Sequence, residues 1–513
     1  MKKKLPHLTI IILFLMLTIP YLYGFISGGG QKNFLGFLLN PIDGLSYLAK
    51  IEEGRAGQWL FTLPYAANPG KGSIIFIFYL LLGHLGRLTQ LSNIFIFHLA
   101  RLMSSVFLVG SVWQLLTLVY KSEEQNIHKA FTLLTLGSGL GWLVFLTGFL
   151  PADFWLAEMY PFLSMYANPH FPLGLALLIQ ILLHYSSEPT VKNFFLIGMT
   201  ALGVGFVMPF GLVFAVLILC VDFIVEFCLK KKVKSFTQLV ALIPGGMVVI
   251  LQYWQTISHN LLSEWNNQNV TPSPQVWDLM LSLSPAILIT VWEIAQSLRS
   301  PGDRPRRLLR IWLIAGMVLA YLPLALQRRF LMGVYLPAAI LAVDGLNQLS
   351  AQWEWIKKWG YKLLLIVSIP TNLIMVVVGM FGVVTGSPKL FVSTAEKQAL
   401  DWISANSPAE AVFASSDEFG LVIPAMTGRK VIFGHPFETP NYAGVESALK
   451  SLYSLSQSEI SLREFSEAYQ VDYFVCGFRE KEIWKGTPCF ENAGKTVFRN
   501  SELEIITPIH ENQ

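Results

Sequence analysis

Along most of this chain the apolar positions form long unbroken runs, without the alternation of a half-buried strand or the single stripe of a surface helix. They cover approximately 8–26, 73–86, 94–120, 127–149, 171–187, 193–208, 210–229, 236–256, 276–297, 309–326, 330–348 and 361–383. A helix needs about 20 apolar residues to cross a bilayer, and fewer where Pro or Gly breaks it. The pattern therefore predicts an α-helical polytopic membrane protein. Two regions depart from it. The first is NPIDGLSYLAKIEEGRAGQWLFTLPYAANP (40–69), a polar stretch directly after the first run. The second begins past Gly386, where apolar runs shrink to strand length in AVFAS (411–415), KVIFG (430–434) and DYFVCGF (472–478). Helical patterns lie between them, in STAEKQALDWISAN (393–406) and EISLREFSEAYQ (459–470). Strands alternating with helices predict a small α/β domain over 386–513, after a transmembrane domain over 1–385.

Composition agrees. The chain has 513 residues, 53% of them hydrophobic and 14% charged, against about a quarter charged in a soluble domain. Net charge is only +4, and the basic residues sit in short clusters between apolar runs. That arrangement orients a membrane protein and excludes a nucleic-acid partner. The basic start MKKK followed by an apolar run, with no small-residue cleavage site, predicts an uncleaved first span with a cytoplasmic N-terminus. If every run crossed, KKKVK (230–234) and RSPGDRPRRLLR (299–310) would face outward. The weakest run is GSIIFIFYLLLGHLG (72–86), broken by Gly83, His84 and Gly86. If it lies at the outer interface, Lys121, Lys129, Lys192, both clusters, and Lys357, Lys358 and Lys362 all fall inside. The expectation is about eleven spans in the plasma or inner membrane, an outer loop over 27–93 with interfacial helices, and an extracytoplasmic C-terminal domain. Run 193–229 divides into two short spans around Pro209, and Gln327-Arg328-Arg329 alone joins 309–326 to 330–348.

Four cysteines include no CxxC. Cys220 and Cys228 lie in an apolar run as packing residues, whereas Cys476 and Cys489 could pair in an exported tail. GSGLG (137–141) has no strand before it, so it reads as close helix packing and not as a phosphate loop.

Polar side chains gathered on one side of a membrane bundle are costly and point to function. On the expected outer side stand Asp43 and Tyr47 in the first loop, and Asp153, Glu158, Tyr160, Tyr166, Asn168 and His170 in 151–174. Trp265 and Asn266 to Asn269 could touch a polar ligand, and Arg328 and Arg329 sit at the outer end of a span. Asp43 has two readings: a helix N-cap, or a carboxylate that deprotonates an acceptor hydroxyl or holds a divalent ion. Paired arginines suit bidentate phosphate binding or a headgroup-gripping snorkel. His170 either polarises a leaving phosphate or caps the span after it. His84, His98 and Arg101 stand behind this face, while Asp222, Glu226, Glu293 and Asp344 lie near inner span ends.

The layout resembles the glycosyltransferase C (GT-C) superfamily. The likeness rests on the first span leading to NPIDGLSYLAKIEEGRAGQWL, the interfacial GSIIFIFYLLLGHLGRL, the Arg-bearing span opening FHLARLMSS (97–105), a second polar outer loop and an exported α/β tail. The resemblance implies an integral membrane glycosyltransferase that moves a sugar, with inversion, from a polyprenyl-phosphate donor to an acceptor on the outer face. Asp43 matches the family's first-loop acid as the catalytic residue. Tyr47, Arg101, Asp153, Glu158, Asn168, His170, Arg328 and Arg329 are the candidate substrate-binding residues. Many members carry adjacent acids there, whereas Asp43 stands between Ile42 and Gly44, so a divalent cation is left open and no cofactor is required. Partners would be membrane lipid, the donor and an acceptor of unassigned class. The competing classes are a transporter or flippase, disfavoured by span centres nearly free of charge and by the lack of a repeat, and a non-catalytic envelope scaffold.

Overall fold

The computed structural model describes residues 5–30, 32–230, 236–297, 303–455, 459–484 and 494–509. Lys2 to Lys4, 231–234, 299–302 and Cys489 lie outside them. Among the described residues six helices are long and apolar enough to cross a membrane: His7–Ser27, Asn93–Tyr120, Pro209–Cys228, Phe236–Ser258, Gln327–Ser350 and Glu354–Val384. A seventh candidate, Val276–Leu283 with Ala286–Ser297, bends by 88°. Ile77–Thr89, His170–Ser186 and Val191–Val207 are apolar but shorter. Run 193–229 divides at Met208-Pro209, where Pro cannot continue the preceding helix.

The chain separates into two compact units. The first holds Met1–Pro20, His98–Leu251 and Val270–Phe381, and the second Tyr21–Phe97, Gln252–Asn269 and Gly382–Gln513. The last segment of the second unit thus starts at Gly382, and that unit also takes in two earlier segments.

In the first unit, run 127–149 stays helical only to Leu136. Gly137 and Gly139 then bring the backbone so close that a Cβ would stand 2.7 Å from the Tyr335 hydroxyl and 1.7 Å from the Ser282 carbonyl oxygen. GSGLG is a packing motif. The hairpin expected at 327–329 is longer than the sequence pattern suggested. One helix ends at Leu319, a 3-10 turn covers Gln327–Leu331, and the next helix starts at Tyr335. The acids expected at inner span ends meet the basic cluster: Arg304 and Arg307 pair with Asp222 at 3.2 and 2.7 Å, Arg304 with Glu226 at 2.9 Å, Arg306 with Asp344 at 2.8 Å and Arg310 with Glu293 at 2.5 Å.

Two short helices of the second unit lie between two long helices that each run across the boundary of the units in sequence. We label His7–Ser27 α1, Pro41–Ala56 α2, Ile77–Thr89 α3 and Asn93–Tyr120 α4. At 13 residues, α3 is about 20 Å long and falls short of the roughly 30 Å hydrocarbon core. It lies against α2 through paired glycines: a Cβ on Gly54 would stand 2.1 Å from the Leu80 carbonyl oxygen, and one on Gly83 2.0 Å from that of Ile51.

The strands are β1 Lys32–Phe34, β2 Phe391–Ser393, β3 Val412–Ala414, β4 Lys430–Val431, β5 Tyr473–Cys476, β6 Gly494–Arg499 and β7 Glu504–Pro508. β1 pairs antiparallel with β2, and the others form one sheet in the order β4-β3-β5-β7-β6. β4, β3 and β5 run parallel, β7 is antiparallel to β5, and β6 is antiparallel to β7. Side chains alternate across a strand. Val412, Ala414, Phe474, Cys476 and Ile506 therefore share one core, while Phe413, Val475 and Ile505 face the other. That second core also contains Leu45, Leu48, Ile51 and Tyr65. One face of the C-terminal sheet is thus covered from the first polar loop. Cys476 is disulfide-bonded, and Cys220 and Cys228 are free.

Candidate active site

Helix α2 is shaped by its start. Asn40 takes the left-handed conformation (φ 47°), Pro41 occupies the first helical position, and the Asn40 side chain accepts from the Asp43 amide at 3.4 Å. The cap is therefore Asn40, and the N-cap reading of Asp43 is corrected. Asp43 sits in the first turn, where the helix dipole favours a carboxylate.

The Asp43 carboxylate is about one-third exposed and held from two directions. Asn40 Nδ2 donates to Oδ2 at 2.5 Å, and His435 Nε2 lies 3.2 Å from Oδ1. His435 is buried, its side chain 5% exposed. Its Nδ1 accepts from the amides of Phe437 and Glu438 at 3.2 and 3.3 Å. A ring nitrogen accepting two N–H groups carries no proton, so the proton is on Nε2 and is donated to Asp43. The result is a half-open carboxylate aimed by a fixed imidazole.

One and two turns further along α2, Ser46 and Lys50 enter a buried charged cluster. Fully buried Lys50 donates to Glu438 Oε1 and Oε2 at 2.8 and 3.0 Å, and to Ser46 Oγ at 2.5 Å. Ser46 Oγ donates to Glu438 Oε1 at 2.7 Å. The ammonium also lies 4.4 Å from the centre of the Phe76 ring. Burial pushes the Glu438 carboxyl up, but the Lys50 ammonium more than offsets this and holds it below its ordinary value. Tyr47 stacks on Tyr79 at 4.4 Å, and burial pushes the Tyr65 phenol well up.

Glu53 behaves oppositely. Its carboxyl is drawn inward to the Thr62 hydroxyl at 2.7 Å and amide at 3.3 Å, and burial raises its pKa from 4.5 to about 8. Between those values the unfolded chain loses a proton that the folded chain keeps, so stability falls as pH rises. Glu53→Gln is expected to gain unfolding temperature over the wild type progressively from pH 5 to pH 8. A constant difference across that range would contradict the assignment.

The remaining candidate residues belong to the first unit. Arg328 Nε and Arg329 Nη1 approach Glu158 Oε1 at 3.9 and 3.2 Å, and the guanidiniums lie over Trp155 and Phe210 at 5.3 and 5.4 Å. Two guanidiniums thus converge on one carboxylate beside aromatic faces. The other four are enclosed. Asp153 is fully buried, accepting from Thr371 Oγ1 at 2.9 Å and the Gly141 amide at 3.1 Å. Arg101 is buried and donates to the Leu17 and Met165 carbonyls at 3.0 and 2.9 Å. Asn168 is 2% exposed and His170, packed on Phe171 at 4.0 Å, is 9% exposed. In this conformation Arg101 and Asp153 tie the chain together and offer no face to a ligand.

No protein-family model and no curated protein matches the sequence. Solved structures do match. The Archaeoglobus fulgidus oligosaccharyltransferase in its apo form aligns with a TM-score of 0.60 at 13% identity, over 93% of this chain and 70% of that one. ArnT from Cupriavidus metallidurans, bound to undecaprenyl phosphate, aligns with a TM-score of 0.54 at 12% identity over 98% of both chains. Both are GT-C superfamily glycosyltransferases. The chain has the GT-C fold.

Within this GT-C fold, sequence reasoning passed over His435, Glu438 and Ser46, and gave Lys50 no role beyond the polar helix of the first loop. The available signal was GHPFETPNY (434–442), a histidine and a glutamate three residues apart in a Pro-bounded turn. A divalent ion is the cofactor that the sequence left open. The residues present fit it poorly, since the two side chains that hold the Asp43 carboxylate, Asn40 Nδ2 and His435 Nε2, approach it as N–H donors and not as further ligands. No group of three or more His, Cys, Asp or Glu among the described residues could hold a metal.

Proposed function

We propose that the protein is an integral membrane glycosyltransferase that moves a sugar from a polyprenyl-phosphate donor to a hydroxyl-bearing acceptor on the extracytoplasmic face. The observation that carries this reading is the partly exposed Asp43 carboxylate, aimed by Asn40 and buried His435 at the head of α2, in a GT-C fold. Asp43 takes the proton of the acceptor hydroxyl. That oxygen attacks the anomeric carbon from the face opposite the phosphate, the carbon–oxygen bond to phosphate breaks, and polyprenyl phosphate leaves with inversion. His435 is a positioning residue. It points the carboxylate without exchanging the proton itself.

Arg328 and Arg329 suit the donor phosphate, because adjacent guanidiniums offer forked donors that match phosphate oxygens. The neighbours lend support: one is bound to undecaprenyl phosphate, and the archaeal oligosaccharyltransferase has been solved with an inhibitory peptide and a dolichol-phosphate. The disulfide at Cys476 suits an oxidising compartment outside the cytoplasm. About eleven spans, with the C-terminal domain outside, remain our reading of the topology.

The test is transfer from a panel of polyprenyl-phosphate sugars in membranes that contain the protein. At least one donor should support transfer. Arg329→Ala should raise the KM for that donor about 10- to 100-fold, the worth of one charge-assisted hydrogen bond, while Arg328 keeps Glu158 paired. Failure of every polyprenyl-phosphate sugar would sink the proposal.

A further inference from the structure

Helix α2 has a second polar face. Glu52 and Arg55 lie on the side of the helix away from Asp43, by the 100° advance per residue. They line a cavity of about 280 Å³ together with Ser92, Asn93, Phe34 and Met426. This is just below the roughly 300–1,000 Å³ typical of small-molecule sites, so it suits a compact head and not a large ligand.

The two charges are three residues apart, a spacing at which opposite charges commonly pair on a helix. They do not pair here, because each is secured separately. Asn93 Nδ2 donates to Glu52 Oε2 at 2.5 Å. Arg55 Nη1 donates to the Leu91 carbonyl at 2.6 Å and to Asn93 Oδ1 at 3.4 Å. Gly86 makes room for the guanidinium, since a Cβ there would come within 3.2 Å of Nη1. Among the described residues, Glu52 Oε1 and Arg55 Nε and Nη2 make no hydrogen bond.

An anion and a cation held apart in one cavity, each with capacity left, match a ligand that carries both charges. A neutral sugar would compensate neither, and a simple anion would leave Glu52 unmatched. Ser92 and Asn93 stand at the start of α4, one of the helices long enough to cross a membrane, where lipid headgroups lie. We infer that this cavity binds a zwitterion of the phosphoethanolamine type. The phosphate lies on the forked donors of Arg55, and the primary ammonium donates to Glu52. The headgroup of phosphatidylethanolamine and free O-phosphoethanolamine share this chemistry.

The test is lipid retention by the full chain in detergent, read by native mass spectrometry against equimolar phosphatidylethanolamine, phosphatidylcholine and phosphatidylglycerol. Phosphatidylethanolamine should be retained about fivefold or more over either. Glu52→Gln keeps the contact with Asn93 and should erase that preference. Arg55→Lys keeps the charge but not the fork, and should weaken retention of all three. Displacement of the lipid by millimolar O-phosphoethanolamine would show that the headgroup alone suffices. A thermal shift with O-phosphoethanolamine, without preferential lipid retention, would assign the site to the soluble zwitterion. Equal retention of the three lipids with no such shift, or a preference unchanged in both variants, would overturn the inference.

Discussion

Asp43→Asn is expected to lower sugar transfer about 10²- to 10⁴-fold, the usual worth of a positioned general base, while the protein still inserts and unfolds as the wild type does. Asn is nearly isosteric with Asp. Its Oδ1 can still accept from His435 Nε2, and the cap at Asn40 does not depend on a charge at 43. The substitution therefore removes proton acceptance and, with it, the hydrogen bond that Asn40 Nδ2 donates to Oδ2, which an amide NH2 at that place cannot accept. Transfer at the wild-type rate from this variant would end the catalytic assignment. His435→Ala separates aiming from chemistry. It leaves the base in place and removes the donor that points it, so kcat should fall about tenfold with the donor KM unchanged. A rise in KM without loss of kcat would mean that His435 binds substrate.

Much of this fold could be read before any coordinates, and the reasons are local. Apolar runs mark helices because lipid leaves no other partner for the backbone. Strands β3, β4 and β5 fell within short apolar stretches that were already visible in 411–415, 430–434 and 472–478. Asp43 was conspicuous as an acid beside a Pro turn after the first span. What the pattern could not convey was its neighbour: 392 positions separate Asp43 from His435, and no periodicity reports such a contact. The same limit applied to Asp153 and Arg101. As letters they are polar residues in an outer loop and at a span opening; in the structure their hydrogen bonds turn inward, to Thr371 and to the Leu17 and Met165 carbonyls. The short hairpin failed for a different reason. The apolar run 309–326 continues past Leu319, and apolar character alone does not say where a helix stops.

Lys50→Met should destabilise the second unit by about 3–5 kcal/mol, the cost of leaving a buried carboxylate without its partner. The double variant Lys50→Met/Glu438→Leu should recover most of that loss, because apolar side chains of similar size need no solvation. The pair also sets an acid limit. Lys50 holds the Glu438 carboxyl below its ordinary value, so the stability it contributes is present above about pH 4.5 and is lost as pH falls through the folded value. The double variant should therefore resist acid better than the wild type. Activity separates scaffold from chemistry. Glu438 lies three residues beyond His435 and presents its backbone amide, not its side chain, to His435 Nδ1. Transfer should accordingly drop in Lys50→Met, where this turn loosens, and return in the double variant. Unfolding in detergent and donor-dependent transfer, measured for both single variants and the double, close the cycle. A coupling energy below about 1 kcal/mol would remove the pair as the clamp on the turn that carries His435, and leave Asp43 to be aimed by Asn40 and His435 alone.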